Sequence, residues 1–194
     1  MTVHVAGLIL AAGLSTRFGG NKLIEPISDE PLIRKTMGAW LNANITKLYV
    51  VIGHRSHEIM EALEGLPLDV IENPRFETGL ASSVVAGIQH LQGEYDRILI
   101  GLGDMPYVMP ETLNTLIDAA ALGGPNRQIW IPQYDGQRGN PVLWGRSAFS
   151  DLSALTGDQG GRQLFQKYET VIEDVCVEDP GILRDIDLRQ DLQE

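Results

Sequence analysis

The chain is poor in several things, and each shortage narrows what it can be. Cys176 is the single cysteine among 194 residues, which excludes an internal disulfide and a cysteine-built zinc site. The histidines His4, His54, His57 and His90 share no ligand spacing such as H-x-x-x-H. Long apolar runs are missing. The apolar stretch at residues 5–12 falls far short of the roughly 18–20 residues a membrane helix needs. It has no basic stretch before it and leads into a polar loop, so it is not expected to act as a signal peptide. Cytoplasm is the expected location, with no membrane partner. Positive charge is scarce: 15 Lys and Arg face 26 Asp and Glu, a net charge of −11, which argues against non-specific binding to nucleic acid. Acidic residues are absent before Glu25, although residues 1–24 carry Arg17 and Lys22. The acids collect instead at the other end, where Glu169, Glu173, Asp174, Glu178, Asp179, Asp185, Asp187, Asp191 and Glu194 face Arg184 and Arg189.

Apolar patterning then predicts the elements. Val3–Leu10 reads as a buried strand, Lys47–Ile52 as a second, Leu68–Ile71 as a short third and Asp96–Leu102 as a fourth. Between them, 31–43, 56–64 (with Ser56 as its N-cap) and 80–91 read as helices, and Pro110–Leu122 follows as a helix with proline at a favoured first position. This alternation indicates a mostly parallel sheet covered on both faces. After Gly124 the rhythm changes. Gln128–Pro132, Pro141–Trp144 and Thr170–Val177 read as strands, 147–155 and 161–168 as helices, and 183–192 as a short helix or docked tail. No linker or repeat interrupts the chain. One domain over 1–194 is expected, with a first half over 1–124 and a second over 125–194. Trp40, Trp130 and Trp144 lie on apolar elements and are expected in the core, as is Cys176.

Two motifs carry chemistry. The first strand runs into Ala11-Ala12-Gly13-Leu14-Ser15-Thr16-Arg17-Phe18-Gly19-Gly20-Asn21-Lys22. It is neither a Walker loop, since Leu23 follows Lys22, nor a dinucleotide G-x-G-x-x-G. Gly13 lets backbone approach a ligand. The amides around Leu14 and Ser15 can form an anion nest, and Arg17 and Lys22 would neutralise phosphate charge. The second motif is Gly101-Leu102-Gly103-Asp104-Met105-Pro106. It puts a carboxylate where a buried strand ends, the place where ligands bind in open α/β sheets. Such an aspartate suits Mg²⁺. Late in the chain, Asp185-Ile186-Asp187 alternates, so both acids can point the same way from an extended segment.

Together with Asn73-Pro74, Gly79-Leu80-Ala81-Ser82-Ser83-Val84, Arg138-Gly139-Asn140-Pro141-Val142-Leu143 and Gly157-Asp158-Gln159-Gly160-Gly161-Arg162, these motifs resemble, in order and over nearly the whole chain, the nucleotidyltransferases of the molybdopterin-nucleotide type, the molybdenum cofactor cytidylyltransferases in particular. The resemblance implies an α/β, Rossmann-like fold of glycosyltransferase-A type, three-layered α/β/α. It implies transfer of a nucleotidyl group from an NTP to a terminal phosphate with release of pyrophosphate. It places the backbone of Leu10, Ala11, Ala12 and Gly13 at base and ribose, Ser15, Arg17 and Lys22 at the triphosphate, and Ser82, Ser83 and Gly103 among the nucleotide contacts. Asp104 would hold Mg²⁺, and a late acid would complete the metal site, Asp187 favoured and Asp185 next. Arg138, Asn140, Pro141, Asp158, Gly160 and Arg162 would face the acceptor, molybdopterin or molybdenum cofactor, and a molybdoenzyme or its maturation factor would receive the product. The Ala11-Ala12 pair resembles the CTP-using enzymes, where the GTP-using ones read A-G-G. Two positions depart from the pattern: Asn140 stands where His is usual, and Gly161 where Ala is.

The chemistry asks for little else. The acceptor phosphate oxygen attacks the α-phosphorus in line, and the protein positions and stabilises charge without a covalent nucleophile. Arg17, Lys22 and Asp104 are the expected catalytic residues. A guanylyltransferase, a sugar-1-phosphate nucleotidyltransferase, and a non-catalytic molybdenum cofactor chaperone are the other readings; retention of Arg17, Lys22 and Asp104 together favours catalysis over the last.

Overall fold

The computed structural model describes residues 4–16, 18–124 and 126–193; Arg17, expected at the triphosphate, lies outside them. The chain builds β1 (Val5–Ala11), β2 (Pro26–Ile27), β3 (Glu30–Pro31), α1 (Leu32–Leu41), β4 (Lys47–Ile52), α2 (Ser56–Ala62), β5 (Asp69–Glu72), α3 (Leu80–Leu91), β6 (Arg97–Leu102) and α4 (Pro110–Leu122). The second half adds β7 (Ile129–Tyr134), β8 (Gln137–Arg138), β9 (Val142–Gly145), α5 (Phe149–Leu152) and β10 (Ile172–Cys176), with short 3-10 turns between. One eight-stranded sheet runs in the order β10-β7-β9-β6-β1-β4-β5, with β8 beside β7. β5, β4, β1 and β6 are parallel; β9 runs antiparallel to both β6 and β7. A mixed α/β fold with a mostly parallel central sheet results, as the alternation of elements requires.

β1 is the spine, and every residue of it is buried, as a central parallel strand covered on both faces must be. Its odd residues, Val5, Ile9 and Ala11, pack with Leu32, Ile33, Met37 and Trp40 of α1, Ile59 of α2 and Leu113 and Leu116 of α4. Its even residues, Ala6, Leu8 and Leu10, pack with Val84, Ile88 and Leu91 of α3 and Phe149 and Leu152 of α5. Close approach explains Gly87 of α3, where an added Cβ would press into the Leu8 side chain.

The three tryptophans are all core residues, but Cys176 is exposed. β10 is the outer strand, paired on one side only; the cover reaches Ile172 and Val175 on its two faces and stops before the last residue. Ser56 does not cap α2. The cap position is Arg55, held at φ 51°, and no side chain closes that end. The helix expected over 147–155 shrinks to a 3-10 turn and the four residues of α5, and that over 161–168 to a 3-10 turn at Gly160–Leu164. Gly157 and Gly160, between the two expected spans, both take positive φ, so no helix continues across that loop. The end of the chain is a docked tail with 3-10 turns at Pro180–Leu183 and Arg189–Gln193. No helix among the described residues is long and apolar enough to cross a membrane.

Candidate active site

β1 and β6 are neighbours and end together. Gly103 N–H donates to Leu10 O at 3.0 Å, and the Thr36 hydroxyl of α1 donates to Gly103 O at 2.9 Å. A Cβ at Gly103 would fall 2.8 Å from Ile33 Cδ1, so glycine is what lets the strand end lie flat against α1. The next residue, Asp104, is thereby aimed out of the sheet's carboxyl edge.

The loop after β1 is pinned from below. Phe18 and Leu23 are buried, and buried Asn21 donates its side-chain amide to Glu58 Oε2 of α2 at 3.0 Å. Between these anchors and β1, Gly13 and Leu14 are exposed, Ser15 sits at φ 51°, and a Cβ at Gly13 would meet nothing within 4 Å. The strand has ended in open space with its backbone facing a cavity of about 490 Å³. Leu10, Ala11, Ala12, Gly13, Ser15, Lys22, Ser83, Asp104, Asp158 and Asp187 all line it.

The docked tail closes the far side. Ile186 is buried and its N–H donates to Asp104 O at 2.9 Å, which fixes Asp185 and Asp187 on either side of it. One oxygen from each of Asp104, Asp185 and Asp187 lies within 4.8 Å of the others. Lys22 Nζ reaches Asp104 Oδ2 at 2.7 Å and Asp187 Oδ1 at 3.0 Å. Asp104 Oδ1 is buried and has no hydrogen-bond partner among the described residues. Burial pushes the Asp104 carboxyl above the usual carboxylate range, Asp185 adds to the shift, and Lys22 reverses only part of it. Burial pulls the Lys22 ammonium down, but Asp104 and Asp187 outweigh it and hold it above its ordinary value.

A second cavity, of about 700 Å³, adjoins the first and shares Leu10, Leu80, Leu102 and Asp158 with it. Arg138, Asn140, Gly160, Arg162 and Asp185 line it. Arg138 holds Asp174 with both ends of its fork, at 2.6 and 2.9 Å. Asn140 is fixed by its backbone N–H, which donates to Ile182 O at 3.0 Å. The α3 entrance locks onto the 157–162 loop: Ala81 N–H donates to Gly157 O at 3.0 Å, and Gly79 at φ 105° leaves no room for a Cβ beside Asp158.

Three expected contacts do not reach either cavity. Gly103 is buried under α1. Pro141 sits against Gly101. Ser82 turns inward, donating to Gly79 O at 2.8 Å and accepting from Asn73 Nδ2 at 2.8 Å. Sequence reasoning also missed two groups. Trp144 and Phe165 stack with centroids 5.9 Å apart and wall the second cavity, a pairing visible only once β9 and the 160–164 turn meet. Asp191 accepts from the backbone N–H of Asp187 and of Leu188, at 3.0 and 2.7 Å; its place three and four residues after a turn is a local signal that could have been read.

Comparison with known proteins agrees with this geometry. Residues 7–171 match the model of the MobA-like NTP transferase domain. The bifunctional protein GlmU of Geobacter metallireducens is 28% identical over 144 residues, 73% of this chain and 29% of that protein; the chain spans less than a third of the curated relatives it matches. A nucleotidyl transferase from Methanothermobacter thermautotroptrophicus is 25% identical with a TM-score of 0.83, over 98% of this chain and 94% of that one. A structure of Rv0371c from Mycobacterium tuberculosis in complex with manganese is 25% identical with a TM-score of 0.75, over 90% and 88% of the two chains. The chain belongs to the family of MobA-like NTP transferase domains.

Proposed function

We propose that this protein is a Mg²⁺-dependent cytidylyltransferase that moves CMP from CTP to the terminal phosphate of molybdopterin and releases pyrophosphate. One observation carries the reading: Asp104 and Asp187 line the cavity of the glycine loop, while Asp185, within ligand distance of both, lines the neighbouring cavity of the acceptor loops. The carboxylates therefore straddle the boundary where a nucleotide α-phosphate on one side and an attacking phosphate on the other would meet.

The residues fit a hard divalent ion. Three carboxylates converge, the oxygen-only donor set suits Mg²⁺ or Mn²⁺, and Asp104 Oδ1 is a buried polar atom with no partner among the described residues. The Rv0371c structure with manganese lends support for a divalent ion in this fold. When bound, such an ion neutralises phosphate oxygens and orients the leaving group.

The chain's own residues do the rest. The open backbone at Gly13–Ser15 offers N–H groups to the triphosphate. Lys22 places a positive charge beside it, and Arg17 is assigned the same task from the loop sequence. Leu10–Ala12 back the base and ribose, and Ser83 faces them from α3. Asp158, on the shared wall, orders the two substrates against each other. Arg162 and Asn140 receive the acceptor phosphate, and Arg138, already held by Asp174, shapes its entrance. No protein nucleophile is required: the P–O bond to the acceptor forms as the bond to pyrophosphate breaks.

The GlmU relatives favour a second reading, a sugar-1-phosphate acceptor at the same centre. Pyrophosphate release, measured with Mg²⁺, each NTP in turn and either molybdopterin or a sugar 1-phosphate, separates the readings. CTP with molybdopterin is the expected pair. Turnover with GTP alone among the nucleotides, or with sugar phosphate and not molybdopterin, overturns the respective assignment.

A further inference from the structure

Lys22 sits where the cation of the proposed reaction would sit. Its Nζ is 2.7 Å from Asp104 Oδ2 and 3.0 Å from Asp187 Oδ1, two of the three carboxylates that converge within 4.8 Å. A hard divalent ion needs such oxygens at roughly 2.0–2.6 Å. An ammonium held on Asp104 Oδ2 and Asp187 Oδ1 takes up part of that donor set and repels a divalent cation placed on the remaining oxygens, Asp104 Oδ1 among them. The lysine backbone has little freedom, since Asn21 is tied to Glu58 and Leu23 is buried. The four-carbon side chain is the part that moves. It runs along the wall of the first cavity, the wall to which the triphosphate is assigned above.

We propose that Lys22 is a resident stand-in for the metal: without nucleotide its ammonium occupies the Asp104 and Asp187 oxygens, and a triphosphate draws it off by offering the same charge a second anionic partner. The inference rests on the aspartate triad being the metal site. A ligand shifts such an equilibrium only through its different affinity for the two states. The triphosphate has that difference, because it offers the ammonium a second anionic partner in the cavity that Lys22, Asp104 and Asp187 line together. The same residue therefore opposes metal binding in the empty protein and assists nucleotide binding in the loaded one. Metal is taken up together with nucleotide rather than ahead of it, and the empty site is kept from capturing stray cations.

Mn²⁺ titrated into nucleotide-free protein, with the free ion followed by electron paramagnetic resonance, tests this. Lys22→Met removes the competitor and is expected to bind Mn²⁺ about tenfold more tightly than the parent, within the usual range of coupling between ligands. Lys22→Arg keeps a cation and is expected to bind it about as weakly as the parent. Mn²⁺ should also raise the melting temperature of Lys22→Met more than that of the parent, since at a given concentration a ligand that binds the folded state more tightly stabilises it more. Lys22→Gln, measured alongside, gives the same readout if the methionine variant fails to fold. Mn²⁺ binding by the uncharged variants equal to or weaker than the parent's overturns the proposal. If the parent with CTP retains no more Mn²⁺ than Asp104→Asn does, the metal reading itself has failed, and this inference falls with it for that separate reason.

Discussion

Asp104→Asn separates two roles that an aspartate at the end of β6 can have. As a fold anchor, it would be one half of a part-buried ion pair, and removing one partner of a fully buried pair costs about 3–5 kcal/mol. Three features of the site lower that figure. Lys22 keeps Asp187 at 3.0 Å. The asparagine oxygen can still accept from Lys22 at the same place. Burial, and after it Asp185, already push the Asp104 carboxyl upward, so the ionised form is a burden on the fold. A carboxyl whose folded pKa lies above its unfolded one contributes stability that is fully present below the unfolded pKa and is lost as pH rises through the folded value; near neutrality, asparagine abolishes that loss. The net change in stability is expected to lie within about 1 kcal/mol of zero. Turnover should behave very differently. Under the proposed mechanism the substitution removes a charge at the reacting phosphates, and losses of up to about a thousandfold, or about 4 kcal/mol, follow the removal of such groups. Urea unfolding and pyrophosphate release at saturating CTP, run on the same preparation, give both numbers. A stability loss of about 3 kcal/mol or more, or turnover within about tenfold of the parent, refutes the reasoning.

Other substitutions probe the surroundings of that carboxylate. Gly161→Ala places a Cβ 2.7 Å from Trp144 Cζ2, so about 1–3 kcal/mol of stability should be lost to overpacking, with KM rising for the acceptor and unchanged for CTP; an unchanged acceptor KM contradicts the assignment of that wall. Asp191→Ala frees the backbone N–H groups of Asp187 and Leu188 and should weaken Mn²⁺ binding in the presence of CTP by about tenfold, as loss of a group supporting a ligand does; Asp191→Asn, which can still accept, should recover most of it. Gly79→Ala forces a side chain to φ 105° against Asp158 and the Gly157 carbonyl, and should cost about 2 kcal/mol or more in urea unfolding. Arg138→Lys loses the two-pronged grip on Asp174 and should raise acceptor KM several-fold while leaving nucleotide affinity, read by CTP titration, where it was.

The elements that the sequence made legible are those whose cause is local. β4 and α3 begin and end where the apolar runs begin and end, and α4 starts at the proline that cannot sit deeper in a helix. Asp104 could be placed at a strand end because Gly103 and Pro106 bracket it. Asp185 and Asp187 alternate along an extended segment, so their shared direction followed from spacing alone. What escaped depends on distant partners. Cys176 sits in an apolar-looking strand, yet its exposure is set by where the covering layers stop. The stretches 147–155 and 161–168 have helical composition, yet they yield only the four residues of α5 and short 3-10 turns, which their composition does not signal. Ser82 is in a motif with Ser83, and Asn73 donates to both hydroxyls, yet only Ser83 lines the first cavity while Ser82 turns back to Gly79. The ion pairs from Lys22 join residues 82 and 165 positions apart, and no periodicity encodes that.

One reversed strand decides where chemistry can happen in this molecule. Because β9 runs against β6, the residues that lead into it arrive at the rim from which β1 and β6 depart, with Val142 level with Ile100. A parallel strand at that position would have sent the Arg138–Pro141 stretch to the opposite rim, roughly 13–20 Å away at the usual rise of a four- to six-residue strand. Under the proposed reaction, donor and recipient would then have met different faces of the protein, and no adjustment of side chains could have brought them within bonding distance. The inversion brings two cavities to one mouth, and loops on either bank can vary without moving the shore they share.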